Sequence, residues 1–111
     1  GEARLTPGFA LPARHVIHTV GPVWRGGAHG EAERLVSCYR DSLRLAAMHD
    51  LHSIAFPAIS CGVYGYPVDA AVAIALREMR AWLAAGRAPG RIVCCCFGAS
   101  MANAYRRALV S

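Results

Sequence analysis

The chain has 111 residues, a length that fits one domain with a usable core. Its 55% hydrophobic and 17% charged residues exclude a disordered polar chain, and no run reaches the 18 apolar residues of a helical membrane span. The net charge of +5 is carried entirely by arginines on the basic side, but these are scattered from Arg4 to Arg107 rather than massed, so a nucleic-acid groove is not expected.

In chain order, the first legible element is "RHVIHTV", residues 14–20, β-branched and apolar enough to read as a strand. His15 and His18 lie three apart on it and so point to opposite faces, which suits structural roles better than a ligand pair. The connection "GPVWRGGAHG" is glycine-rich. From Glu31 to about His49, Leu35, Cys38, Tyr39, Leu43, Ala46 and Ala47 recur at helical spacing, with Glu31 and Glu33 in the first turn where negative charge suits the helix dipole. Residues 53–59 read as a second, buried strand. A second helix runs from Pro67 to about Ala85, with Pro67 at its start and Gly86 as its stop. "RIVCCCF", residues 91–97, is a third strand, and Ser100 is a candidate cap for a last helix from Met101 to about Val110.

The order β-α-β-α-β-α predicts an α/β fold with a mainly parallel sheet, strand 53–59 beside strand 91–97, and ligands beyond the carboxyl ends of the strands. The segment "FPAISCGVYGYPVDAA", residues 56–71, occupies such an end. A glycine turn before a helix start offers unpaired N–H groups and partial positive charge to an anion, usually phosphate. The turn is neither a Walker loop nor a dinucleotide GxGxxG, and an ordinary tight strand-to-helix connection explains its composition equally well. A nucleophilic Cys61 would want an arginine a few residues on, and none occurs before Arg77. A serine-hydrolase elbow at Ser60 would want a downstream histidine, and none follows His52. Cys61 therefore reads as a small residue facing a ligand. Tyr64 and Phe97 stand at strand ends where a ring can cover a base or a ribose, core packing being the other reading of each.

The five cysteines, Cys38, Cys61, Cys94, Cys95 and Cys96, form no CxxC pair. They read as small hydrophobes in a reducing, cytoplasmic compartment, with neither metal nor cofactor expected. The first residue is Gly1, as in a processed product or a fragment.

Taken together, "GEARLTPGFALPARHVIHTVGPVWRGG", "CYRDSLRLA", "SIAFPAISCGVYGYPVDAA" and "CCFGASMANAYRRAL" resemble a macrodomain, closest to the bacterial and mitochondrial type that binds ADP-ribose and removes it from acidic side chains or from O-acetyl esters. The resemblance implies a three-layer α/β/α sandwich of which residues 1–111 are the C-terminal part. It assigns Ser60, Cys61, Gly62, Val63, Tyr64 and Gly65 to the diphosphate and distal ribose, with the amides of 61–65 converging on the anion, and Phe97 to adenine. Cys61 stands where the family usually has Thr or Ser, and Gly98 where it often has Asp. The family's upstream Asn-Ala-Ala-Asn strand and its Gly-Gly-Gly-Val-Asp loop, which supplies the acid that activates water, have no counterpart among these residues, so no catalytic residue is assigned. The resemblance places the missing strand between those matched by 14–20 and 53–59. The strand 14–20 is then expected to slide across to 53–59 or to find another partner, failing which its edge invites self-association. The implied ligand is ADP-ribose, free or carried by a protein or metabolite.

Overall fold

A computed structural model describes residues 3–7, 15–96 and 98–110. The elements are β1 (Ala3–Pro7), β2 (His15–Thr19), α1 (Glu31–Met48), β3 (Ser53–Pro57), α2 (Val68–Ala84), β4 (Arg91–Cys95) and α3 (Gly98–Leu109). Every element expected from the sequence is present with shifted ends, and β1 is additional. It pairs antiparallel with β2, Leu5 opposite Ile17. The order is therefore ββαβαβα. Residues 3–7 carry Arg4 and end in Pro7, so they lack the apolar alternation that marks a strand alone, and β2 supplies the pairing that makes them one.

The strands β3 and β4 are parallel neighbours, Ala55 opposite Val93, as the helical crossover between them requires. Alternation sends Ile54 and Phe56 of β3, with Ile92 and Cys94 of β4, onto a core built by the helices. Leu35, Tyr39 and Leu43 of α1 meet Val72, Ala75 and Met79 of α2 and Tyr105 of α3 there. The Tyr39 and Phe56 rings pack with centroids 5.0 Å apart. Burial pushes the Tyr105 phenol up to about 12. Arg40 of α1 adds a 2.9 Å ion pair to the buried Glu78 of α2. The opposite face of this sheet, with Ser53, Ala55 and Pro57 beside Arg91, Val93 and Cys95, is exposed. The chain thus contributes the sheet and the helical layer on one of its sides.

Two helix ends show contrasting signals. Gly86, in the left-handed region at φ 71°, terminates α2 as expected. By contrast, Ser100 does not cap α3. The helix already starts at Gly98, whose φ of 80° turns the chain immediately after β4, so Ser100 lies inside the first turn.

β2 does not slide across to β3. The two strands belong to separate two-stranded sheets. Between them lies a slot of about 1350 Å3, walled by β2 and β3 and reached by Ser42 of α1.

Candidate ligand-binding turn

Beyond β3 the chain makes a compact turn. The Cys61 N–H donates to the Ala58 carbonyl at 3.4 Å, Gly65 N–H to Gly62 at 3.0 Å, and Tyr66 N–H to Ser60 at 2.9 Å. Two residues take the left-handed backbone this path demands. Gly65 does so freely at φ 71°, while Ser60, at φ 66°, is strained. The expectation that the amides of 61–65 all converge on one anion site is corrected for two of them. The amides of Cys61 and Gly65 close the turn on itself, and those of Gly62, Val63 and Tyr64 meet no acceptor among the described residues. These three consecutive donors precede Pro67 and the start of α2, whose first turn has no side-chain cap. Three unpaired N–H groups in a row, followed by a helix N-terminus, can chelate an oxyanion.

The side chains fit that use. Gly62 has open space where a Cβ would stand. Val63 is exposed, and Tyr64 is 40% exposed, its ring accessible to cover a sugar. Burial raises the Cys61 thiol above its ordinary range, so at neutral pH it is a protonated small side chain and not a nucleophile. Phe97, the adenine residue implied by the resemblance, lies outside the described residues. Ser60, Cys61, Gly62, Val63, Tyr64 and Gly65 do share one loop.

A second loop braces this turn, and its key residue is not evident from residue patterns. Gly21 abuts Ile59 and Ser60 so closely that a Cβ there would stand 2.5 Å or less from both side chains. The Trp24 N–H donates to the Tyr64 carbonyl at 2.8 Å, and the Trp24 ring packs on Tyr66 at 4.7 Å. Tyr66 in turn is buried. The loop carrying Trp24 is gathered by Glu31, which is 1% exposed. Its carboxylate accepts the N–H groups of Arg25 at 2.8 Å, Gly27 at 2.9 Å and His29 at 2.6 Å. Burial opposes the charged form, but these donors outweigh it and hold the carboxyl down at about 2. Sequence reading sees Glu31 only as a first-turn acid. The available signal is a glycine-rich loop whose many amides need an acceptor, with an acid at its end.

A family model described as "Macro domain" matches residues 1–75. The chain belongs to the macro domain family. It is 54% identical over 111 residues to a macro domain-containing protein of Chlorobaculum tepidum, covering all of this chain and 64% of that one. It is 50% identical over 111 residues to a Klebsiella pneumoniae protein named O-acetyl-ADP-ribose deacetylase, again covering all of this chain and 63% of the relative. Among solved structures it superposes on the Oceanobacillus iheyensis macrodomain with ADP, with a TM-score of 0.92 and 40% identity over 98% of this chain and 57% of that one. The chain thus spans under two thirds of the length of these relatives.

Proposed function

We propose that residues 60–65 hold the diphosphate and distal ribose of ADP-ribose, and that the whole protein is an ADP-ribosyl ester hydrolase of the O-acetyl-ADP-ribose deacetylase kind. The observation that carries the binding reading is the run of three acceptor-free amides, Gly62, Val63 and Tyr64, at the carboxyl end of a parallel strand. In this reading Tyr64 covers the ribose, and the adenine is the role that the resemblance gives to Phe97, outside the described residues. The Klebsiella relative's name supports the hydrolase reading. For residues 1–111 on their own, binding is the function that the acceptor-free amides of this turn support. The ADP-ribose is free or attached to a protein or metabolite. The free thiols of Cys38, Cys61, Cys94, Cys95 and Cys96 suit a cytoplasmic setting.

The test is Gly62→Glu in the full-length protein, by calorimetry with ADP-ribose. The site reserved for Cβ is empty, so the fold tolerates the change, while the carboxylate occupies and repels the diphosphate position. An affinity at least about 100-fold weaker with unchanged melting is expected, the added charge costing about 2.7 kcal/mol or more. Unchanged affinity refutes the diphosphate role.

A further inference from the structure

The loop before α1 and the ligand turn are joined by main-chain groups in an unbroken series. The Glu31 carboxylate accepts the Arg25 N–H at 2.8 Å, which fixes the peptide joining Trp24 to Arg25. On the other side of the Trp24 Cα, the next peptide gives its N–H to the Tyr64 carbonyl at 2.8 Å. That carbonyl belongs to the Tyr64–Gly65 peptide, whose own N–H donates to the Gly62 carbonyl at 3.0 Å. The Tyr64–Gly65 peptide is therefore bonded at both ends. A trans peptide points its C=O and N–H in opposite directions, and the peptides of this turn are trans. The Gly62 carbonyl faces into the turn, so the N–H of the same peptide, that of Val63, faces out. Of the three acceptor-free amides, Val63's is the one whose direction a hydrogen bond of its own peptide fixes among the described residues.

We infer that Glu31 is a positioning residue for the diphosphate: by holding Trp24 it pins the Tyr64–Gly65 peptide and keeps the Val63 N–H aimed at a phosphate oxygen. The identity of the ligand rests on the ADP-ribose reading, whereas the coupling from Glu31 to Val63 rests on the hydrogen bonds alone. Three features select Glu31. It turns both carboxylate oxygens to the loop, Oε2 to the N–H groups of Arg25 and Gly27 and Oε1 to that of His29. Bonds to an ionised acceptor are stronger than neutral ones. At 1% exposure, water does not replace it. An amide ordered before the ligand arrives removes an ordering cost from binding. A glutamine in this place offers one oxygen, and its NH2 group then faces an N–H donor, which breaks the first link of the series.

The experiment compares wild type with Glu31→Gln in the full-length protein, with Leu43→Ala as a variant that lowers stability from the core. Calorimetry at a temperature where all three are folded is expected to show ADP-ribose binding about tenfold weaker in Glu31→Gln and unchanged in Leu43→Ala. Amide exchange by NMR without ligand is expected to be at least about tenfold faster at Trp24 and Gly65 in Glu31→Gln, a larger factor than at Ala75 within α2. In wild type, saturating ADP-ribose is expected to slow exchange at Trp24 and Arg25, because coupling between two sites is reciprocal. Wild-type affinity in Glu31→Gln overturns the proposal. So does an equal loss of affinity in Leu43→Ala, or a change in exchange that is uniform over Trp24, Gly65 and Ala75. If Glu31→Gln does not fold, the wild-type exchange measurement decides, and unslowed Trp24 and Arg25 amides overturn the proposal. Absence of ADP-ribose binding in wild type refutes the ligand reading, and ligand-free exchange then decides the coupling on its own, so the two fail separately.

Discussion

The carboxyl end of β2 and its length border opposite kinds of structure. Past its carboxyl end the chain is closed. Trp24 is tied to Tyr64, Gly21 to Ile59 and Ser60, and Glu31 gathers the amides between them. Along its length, facing β3, it borders an open slot with a partnerless hydroxyl in it. The closed region is specified by contacts that all fall within residues 21–66. The open one lies between two strands of separate sheets, which do not pair with each other. A ligand turn can thus be fully shaped on a sheet that is not.

The largest expected effect tests how far the helical core stands apart from the slot. Leu43 is buried in the cluster that joins α1 to α2 and α3. Leu43→Ala removes its contacts and leaves a cavity, a loss of about 2–5 kcal/mol and a fall in Tm of about 10 °C or more. Melting followed by circular dichroism checks it. A change of under about 0.5 kcal/mol would mean that α1 is loosely held and that the core is as unfinished as the sheet.

Next comes the brace. Gly27 sits at φ 94°, and a Cβ there would lie 2.8 Å from the Trp24 ring. Gly27→Val adds left-handed strain of about 1–3 kcal/mol and displaces the ring that supports Tyr66. Lower Tm together with weaker ADP-ribose binding in the full-length protein is expected. Unaltered binding would show that the turn keeps its shape without the second loop.

What could be read from the sequence follows the same division. The α/β class and the three helices were legible because apolar periodicity and glycine placement act locally, while the pairing of 53–59 with 91–97 rested on the helical crossover and the family resemblance, and the use of the Gly62–Tyr64 turn on that resemblance. β1 was not, because Arg4, Thr6 and Pro7 make a strand only by pairing with β2. The internal use of the Cys61 and Gly65 amides was hidden for a similar reason. Composition shows that a turn has donors and leaves open which of them the turn itself consumes. Glu31 shows the limit most sharply, since its spacing marks a helix start while its carboxylate organises the loop before it.

Glu31 also gives the closed region a pH signature. Its carboxyl is held at about 2 in the folded chain against an ordinary 4.5. A depressed acid stabilises the fold above its unfolded value, and that contribution is lost as pH falls from about 4.5 to about 2. Tm is therefore expected to decline across that window. Glu31→Gln, which cannot accept all three N–H groups with an amide, is expected to start lower at neutral pH and to show a shallower decline. Parallel curves for the two proteins would assign the acid sensitivity to other carboxylates.

The smallest effect is the most telling for the open region. Ser42 neighbours Leu43 in sequence and is equally buried, yet its Oγ bonds to nothing among the described residues. Removing a partnered buried hydroxyl costs about 1 kcal/mol, whereas removing an unpartnered one costs nothing and relieves its desolvation. In the 111-residue chain alone, Ser42→Ala is therefore expected to leave Tm unchanged or to raise it by a few degrees. In a longer protein that supplies Ser42 Oγ with a hydrogen-bond partner, the same change is expected to lower Tm. The sign of the difference between the two backgrounds reads the slot directly, since a substitution acting only through α1 would shift both alike. Equal destabilisation in both would mean that Ser42 finds its partner within residues 1–111 and that the slot closes without help.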